Sequence, residues 1–413
     1  MPEAPALMPV ADARQRVLDA MMPVSAETVP LSDGLGRVLA HDVIACVTQP
    51  PMAVSAMDGY AVRAADVADV PCILEIVGEA PAGGAYDGVV GPGQTVRIFT
   101  GGPLPQGADA IVIQEDTARD GDRVTINEVS AAGRFVRPAG LDFSTGDVGI
   151  QIGRVLTARD IALAAAMNVP WLRVRRRPKI AVLATGDELV MPGEAIGPNQ
   201  IVSSNNVGLS AMIRAAGGEA VDLGIARDDA DSLRTLAQGA RSADLLVTIG
   251  GASVGDHDLI QSVLGEPVDG NKGLAVDFWR IAMRPGKPLI FGHLGDVPML
   301  GLPGNPVSAL VCGLIFLRPA IAALLGSEDP GPKLSRVTLG EDLRENDRRQ
   351  DYLRAKLSTD DNGQSIATPF GKQDSSMLSR LAQADCLIVR PPHAPAAAAG
   401  DTVDAILLDG LGW

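Results

Sequence analysis

The sequence predicts a multidomain α/β protein: a doubly wound α/β unit with a β-rich insertion, a small helical/β linking unit and a C-terminal β unit. Three observations lead there. Strands and helices alternate across residues 177–328, and the first strand, Ile180-Ala181-Val182-Leu183-Ala184, is a continuous apolar run suited to a parallel sheet covered on both faces. Short β-like runs broken by Gly/Pro turns fill residues 46–143. The chain has 413 residues, enough for roughly two to four domains.

Taken in order, residues 11–21 place Ala13, Val17, Ala20 and Met21 at helical spacing, and residues 158–167 form a second helical stretch. These and their flanks define the linking unit, 1–45 and 144–176. The insertion's runs are residues 73–77, 95–99, 110–113 and 124–126. Arg173-Val174-Arg175-Arg176-Arg177-Pro178 reads as a solvated junction, the common role of a charge run. Beyond it, one helix shows Leu209, Met212, Ile213 and Ala216 on one face, capped by Ser203 or Ser204. Residues 220–223 are the next strand, then a helix with Leu233, Leu236, Ala237 and Ala240 on one face. Residues 245–249 and 299–302 are later strands, the last feeding a helix that starts at Asn305. Residues 329–413 hold strand-like runs and a hairpin signal at Asp361-Asn362-Gly363, so the terminal unit reads as a small β-barrel-like domain.

Composition narrows the partners. Lys+Arg total 35 against 50 for Asp+Glu, a net charge of -15, which disfavours nucleic acid. Cys46, Cys72, Cys312 and Cys386 show no paired spacing and read as free thiols of a reducing compartment; four scattered histidines make a structural zinc site improbable. No basic segment followed by an apolar stretch opens the chain, and the longest apolar run, 306–317, is stopped by Arg318-Pro319, too short to span a bilayer. A cytoplasmic, soluble protein with no membrane partner is expected.

In an open parallel sheet, ligands bind beyond the carboxyl ends of the strands. Those ends lead here into Thr185-Gly186-Asp187-Glu188, residues 224–228, residues 250–258 and residues 301–305. Gly250-Gly251 lets backbone approach a ligand closely, and Ser253 offers a hydroxyl to a phosphate oxygen. Neither a dinucleotide fingerprint nor a P-loop is present. Asn305 is a good N-cap and Pro306 fits the first helical position, so the helix start presents N–H groups to an anion. Met283-Arg284-Pro285-Gly286-Lys287-Pro288 brings two cations to a rigid loop, so an anionic, phosphorylated ligand is expected. Each acid also has a plain structural reading. Asp228 taken alone is better explained as a helix cap, Asp258 as another cap, Asp58-Gly59 as a turn pair and Glu188 as an exposed loop acid. Convergence weakens those readings: Glu188, Asp228, Asp256 and Asp258 should face one crevice, where mutual repulsion calls for a hard cation such as Mg²⁺ with substrate phosphates.

At these residues the chain resembles the molybdopterin molybdenumtransferases, the bacterial MoeA family that includes the gephyrin E domain. The resemblance rests on Ser55-Ala56-Met57-Asp58-Gly59-Tyr60-Ala61, Thr100-Gly101-Gly102-Pro103-Leu104-Pro105, Arg137-Pro138-Ala139-Gly140-Leu141-Asp142, Thr185-Gly186-Asp187-Glu188-Leu189, and residues 250–258, 284–288 and 301–309. It implies four domains, with 177–328 as the molybdopterin-binding unit, and a homodimer whose sites lie between the α/β unit of one copy and the insertion of the other. The implied reaction converts adenylylated molybdopterin and molybdate, with Mg²⁺, into molybdenum cofactor and AMP. Implied partners beyond the second copy are the molybdopterin adenylyltransferase and molybdoenzyme chaperones.

By matching position, the resemblance implies that Glu188, Asp228 and Asp258 serve metal or molybdate activation, with Asp256 beside them, and that Asp58 and Thr100 come from the opposing copy. Arg137, Asp142, Gly250, Gly251, Ser253, Arg280, Arg284, Lys287 and Asn305 would line the substrate, Pro303 and Pro306 would shape the loop, and Ser375 or Ser376 would border the pterin. The chain departs from the family at Met52-Ala53-Val54, at Ile249 and Ala252, and at Arg280 and Arg284, where lysine is common; a guanidinium fork engages oxyanions differently from an ammonium. Two other functions are compatible with the fold: an adenylyltransferase, disfavoured by the insertion and the Ser55–Ala61 segment, and a non-catalytic binding or scaffold protein, disfavoured by retention of the acids and cations.

Overall fold

The computed structural model describes residues 7–251, 263–265, 273–327, 331–361 and 363–410. The α/β unit is built on a six-stranded sheet, in the spatial order Glu219–Ala226, Lys179–Thr185, Leu245–Ile249, Val297–Leu302, Ile290–Leu294 and Leu274–Trp279. The first four strands are parallel. Their apolar runs are buried because helices cover both faces: Asn205–Ala215 and the helix from Pro306 on one side, Ala230–Ala237 on the other. The last two strands add an antiparallel edge to the expected doubly wound unit. Ile290–Leu294 runs antiparallel to both neighbours, joined to Val297–Leu302 by a tight turn at Gly295, whose φ of 63° suits glycine. The sheet is therefore mixed, with an antiparallel edge.

The helix from Pro306 does not stop at Arg318-Pro319. A π turn over Gly313–Leu317 joins Pro306–Cys312 to Arg318–Leu324, and this widened turn lets the chain pass a proline that lacks an N–H. The resulting 19-residue segment is long and apolar enough to cross a membrane, but 78% of its apolar window is buried inside the protein. It is the core helix of the α/β unit, and the N-terminal helix Val10–Asp19 packs on it through Val10, Ala13 and Val17.

Two short antiparallel ribbons form the linking layer: Ala26–Pro30 with Trp171–Arg175, and Val43–Ile44 with Val148–Ile150. The helix Ala158–Ala166 closes it, held by a capping box between Thr157 and Asp160. The basic run at 173–178 is not idle there. Arg176 forks onto both oxygens of Asp244 at 2.7 and 2.6 Å, and Asp244 also accepts the Lys179 N–H, which staples the linking layer to the α/β unit.

The insertion is a six-stranded half-barrel. Gly59–Val62 lies between Ala110–Ile113 and Gln94–Ile98, followed by Cys72–Ala80, Arg123–Ile126 and Thr117–Asp120. Strand alternation divides its core: Tyr60 and Val62 face one apolar cluster, Ala61 the other. The terminal unit closes into a barrel through pairing of Gln350–Thr359 with Cys386–Arg390, around Val337, Leu339, Ala355, Ile388 and Val403. Gln350–Thr359 and Ser365–Pro369 form the expected hairpin, although Asn362 lies outside the described residues. Met283–Arg284, from the α/β unit, adds to this barrel alongside Gln350 and Asp351.

Candidate active site

Two groups of the expected residues are assembled by different physics. In the insertion, Asp58 Oδ1 accepts both the Thr100 backbone N–H and the Thr100 hydroxyl at 2.7 Å. These two donors hold the Asp58 carboxyl below the usual carboxylate range, and the Arg97 charge adds a smaller pull in the same direction. Arg97 is itself fixed between the rings of Tyr60 and Phe99, and donates to the Gly59 carbonyl and to Gln114. Asp58-Gly59 is therefore more than a turn pair: the acid is gripped by a residue 42 positions away. Beside this unit, Arg137 and Asp142 line an open cavity of about 810 Å³ with Gln49, Met52, Gly84 and Gly101. Arg137 reaches its rim because Val136–Arg137 pairs with Val54–Ser55.

At the carboxyl ends of the parallel strands, the first question is whether Asp228 is a cap. It is not. Asp229 caps the helix Ala230–Ala237, its side chain accepting the Ser232 N–H at 2.8 Å. The Asp228 carboxylate is exposed and has no hydrogen bond or ion pair among the described residues, and its backbone N–H is fixed by Asp187 Oδ1 at 3.2 Å. The Glu188 carboxylate folds back over Gly186, on the neighbouring strand end, and is likewise exposed. Gly250 bridges to the next loop, its N–H bonding the Leu302 carbonyl. Its φ of 90°, and a Thr185 carbonyl 2.8 Å from where a Cβ would stand, exclude any other residue without strain. Gly251 follows at φ 63°. Asn205, at the start of a helix, donates to the Gly304 carbonyl at 2.7 Å and so ties the loop that holds Pro303 and Asn305 to the same crevice. Thr185, Gly186, Glu188, Asp228, Gly250, Gly304 and Asn205 are thus brought together.

Several expectations change. Ser253, Asp256 and Asp258 lie outside the described residues, and with them the reading of Asp258 as a cap. Among the described residues no three acid, histidine or cysteine side chains form a ready metal cage; of the four acids expected in one crevice, Glu188 and Asp228 are described, and they stand on adjacent strand ends. Neither Ser203 nor Ser204 caps its helix with a side chain; Ser203 bonds Asn206 instead. Asn305 occupies the N-cap position and Pro306 the first helical one, but the Asn305 side chain makes no capping bond. The Val307 N–H, expected to await an anion, is taken by the Ser375 carbonyl at 3.1 Å. That contact places Ser375 at the helix start, while the Ser376 N–H and hydroxyl close onto Asp374 at 2.8 and 2.7 Å.

The cation loop also divides. Arg284 is committed to the barrel: its Nε donates to Asp351 Oδ1 at 2.7 Å, a second nitrogen pairs with the other Asp351 oxygen, and Asn346 and Asp347 complete the fork. A guanidinium so engaged is not an open anion ligand. Lys287 is exposed and carries no ion pair among the described residues, and Arg280 adopts a positive φ of 73°. Asp187, Asp229, Asn205 and Asp351 went unrecognised in the sequence. Asp187 and Asp229 were visible only as neighbours of the chosen acids, and nothing local pointed to Asp351.

Comparison with known proteins bears on the family and the fold. Family models for the MoeA N-terminal region (domains I and II), a probable molybdopterin binding domain and the MoeA C-terminal region (domain IV) match residues 8–168, 181–323 and 336–408. A protein of Nostoc sp. named molybdopterin molybdenumtransferase is 36% identical over 374 residues, 88% of this chain and 85% of that one. One of the same name from Haemophilus influenzae is 33% identical over 95% of this chain and 96% of its own. Two solved MoeA structures from Pyrococcus horikoshii have TM-scores of 0.83, at 31% and 26% identity, covering 98% and 97% of this chain and 100% of theirs. With matching domains in the same order and this identity over nearly its whole length, the chain belongs to the MoeA family of molybdopterin molybdenumtransferases.

Proposed function

We propose that this protein inserts molybdenum from molybdate into adenylylated molybdopterin in a Mg²⁺-dependent reaction that releases AMP. The observation that carries this reading is the freedom of Asp228: its neighbour Asp229 does the capping, and Asp228 stands exposed on a fixed backbone next to Glu188. Mg²⁺ commonly takes one or two protein carboxylates and completes its shell with water and substrate phosphates. Two exposed acids on adjacent strand ends suit that open arrangement, and bound there the ion would neutralise charge between the substrate's phosphates.

The chain's own residues position two anions against each other, work that needs fixed donors and cations more than a protein nucleophile. Lys287 and Arg280 supply positive charge, and the backbone at Gly250 and Gly251 allows close approach. A thiol nucleophile is not required. Burial pushes the Cys312 thiol far up and that of Cys386 to about 12, so neither is a thiolate at neutral pH.

Asp58, Thr100, Arg137 and Asp142 would face the strand-end acids of a second copy. A homodimer is supported by apolar side chains left exposed on the linking layer: Ile44 and Val148, which are cross-strand partners, with Leu35, Val155 and Trp171. Cytoplasmic location and hand-over from the adenylyltransferase to molybdoenzyme chaperones belong to the same proposal. The test is AMP release from purified protein given adenylylated molybdopterin and Mg²⁺, with and without molybdate, alongside Asp228→Ala. Molybdate-dependent release abolished by the substitution is the expected result. Tight pterin binding without AMP release would favour a binding protein instead.

A further inference from the structure

The loop carrying Lys287 is fixed from four directions, one of them the N-terminal segment, where the Ala282 N–H donates to the Met8 carbonyl at 2.7 Å. Within itself, the Ile281 N–H reaches the Lys287 carbonyl at 3.0 Å and the Arg280 N–H reaches the Leu289 carbonyl at 3.2 Å. From the core helix, Cys312 Sγ sits where a Cβ on Gly286 would stand, so the turn lies flush on the helix. From the barrel, Met283–Arg284 pairs with Gln350 and Asp351, and the Gln350 N–H donates to the Ala282 carbonyl at 2.8 Å. The Arg284 fork closes this last contact. Its partner Asp351 is 4% exposed, and Asn346, also buried, holds the Arg349, Arg390 and Pro391 carbonyls with its amide while its oxygen receives Arg284. A lysine at position 284 could supply the charge but not the two-pronged geometry. The same barrel presents the Ser375 carbonyl to Val307, so its seating on the α/β unit sets two ligand loops together.

We infer that Arg284, through its fork onto Asp351, is a positioning residue: an interdomain clamp that sets where Lys287 stands for the anionic substrate, and not itself an anion ligand. This rests on the proposed reading of the crevice as the site for a phosphorylated pterin. It is tested by a double-mutant cycle on AMP release with Arg284→Gln, Asp351→Asn and the pair, plus Arg284→Lys. If the clamp acts through Lys287, each single change raises KM for adenylylated molybdopterin about tenfold with kcat altered less, and the double variant is no worse than the worse single one. Arg284→Lys then falls between wild type and Arg284→Gln. If Asp351→Asn leaves KM unchanged while Arg284→Gln raises it, or if the two effects multiply, Arg284 binds substrate directly and the inference is overturned. A loss of folded protein with an unchanged KM per active site overturns it too.

A second readout does not depend on turnover. The acylation rate of Lys287 by an N-hydroxysuccinimide ester, followed by peptide mass spectrometry, should change about threefold in Asp351→Asn and Arg284→Lys relative to wild type. An unchanged rate counts against the clamp even if wild type releases no AMP. That lack of release would sink only the functional reading.

Discussion

The insertion and the α/β unit each carry accessible carboxylates, and they hold them in opposite ways. Asp58 is gripped by two donors from Thr100 and is kept ionised. Glu188 and Asp228 stand on fixed backbone with side chains that bond nothing among the described residues. Both donors fall on Asp58 Oδ1, which fixes the orientation of that carboxylate and leaves only Oδ2 open, whereas the strand-end acids keep both oxygens open. On the proposed reading the α/β side would take a cation and phosphates, and the insertion side would form a preformed wall. Asp228→Ala breaks this contrast most severely. Molybdate-dependent AMP release should fall by about 10²–10³-fold, the scale of losing one electrostatic contact to a developing charge, with the thermal midpoint unchanged. A variant that kept full activity would make Asp228 a bystander.

Thr100→Ala probes the wall. It removes the hydroxyl donor and leaves the backbone one, so Asp58 should move back toward the ordinary carboxylate range. The sign follows: a depressed carboxyl stays charged as pH falls, so wild-type activity that needs Asp58⁻ persists to lower pH, and the variant's acid limb shifts upward. At neutral pH the loss should be milder, about tenfold, because the carboxylate is still ionised but less well aimed. An acid limb identical to wild type would show that the Thr100 hydroxyl does not tune the reaction.

How much of this could be read from the chain depends on the range of the forces involved. The parallel strands were legible because burial on both faces writes a continuous apolar run, as in residues 180–184. The antiparallel edge was not, because Ile290–Leu294 and Val297–Leu302 are separated by only a Gly-Asp turn and merge into one apolar stretch. Asp228 and Asp229 are the same residue type side by side; only the backbone, extended at Asp229 with ψ 152°, decides which one caps. Arg284 read as an anion ligand because its partner Asp351 lies 67 positions on and in another domain, beyond any local pattern. The loop at 250–251 was recognised from its glycines because a positive φ writes itself into residue identity.

The two walls can work together only if their mountings are stiff, and the Arg176–Asp244 staple is one such mounting. Burial alone would raise the Asp244 carboxyl; the Arg176 fork and the Lys179 N–H outweigh it and hold the group below its ordinary value. Its contribution is complete above the unfolded carboxylate range and is lost as pH falls through the depressed folded value. Asp244→Asn should lower stability at pH 7 by about 1–2 kcal/mol, discounted from a buried charge pair because both side chains keep some exposure. The gap between variant and wild type, measured by chemical denaturation, should narrow toward acid pH. A gap that widened there would reverse the assignment.

Asp229→Ala is the smallest change and the sharpest control on the comparison. It removes the cap of Ala230–Ala237, at a cost of about 1 kcal/mol by the usual scale of a lost N-cap. The adjoining residue keeps its own anchor, since the Asp228 N–H is held by Asp187 and not by Asp229. Stability should therefore fall while AMP release per folded molecule stays within a few-fold of wild type, the inverse of the Asp228→Ala pattern. Two aspartates one bond apart would then separate cleanly into a structural and a chemical role. If Asp229→Ala instead abolished release and left stability intact, the capping geometry would belong to the chemistry, and the open carboxylate at Asp228 would lose its claim to it.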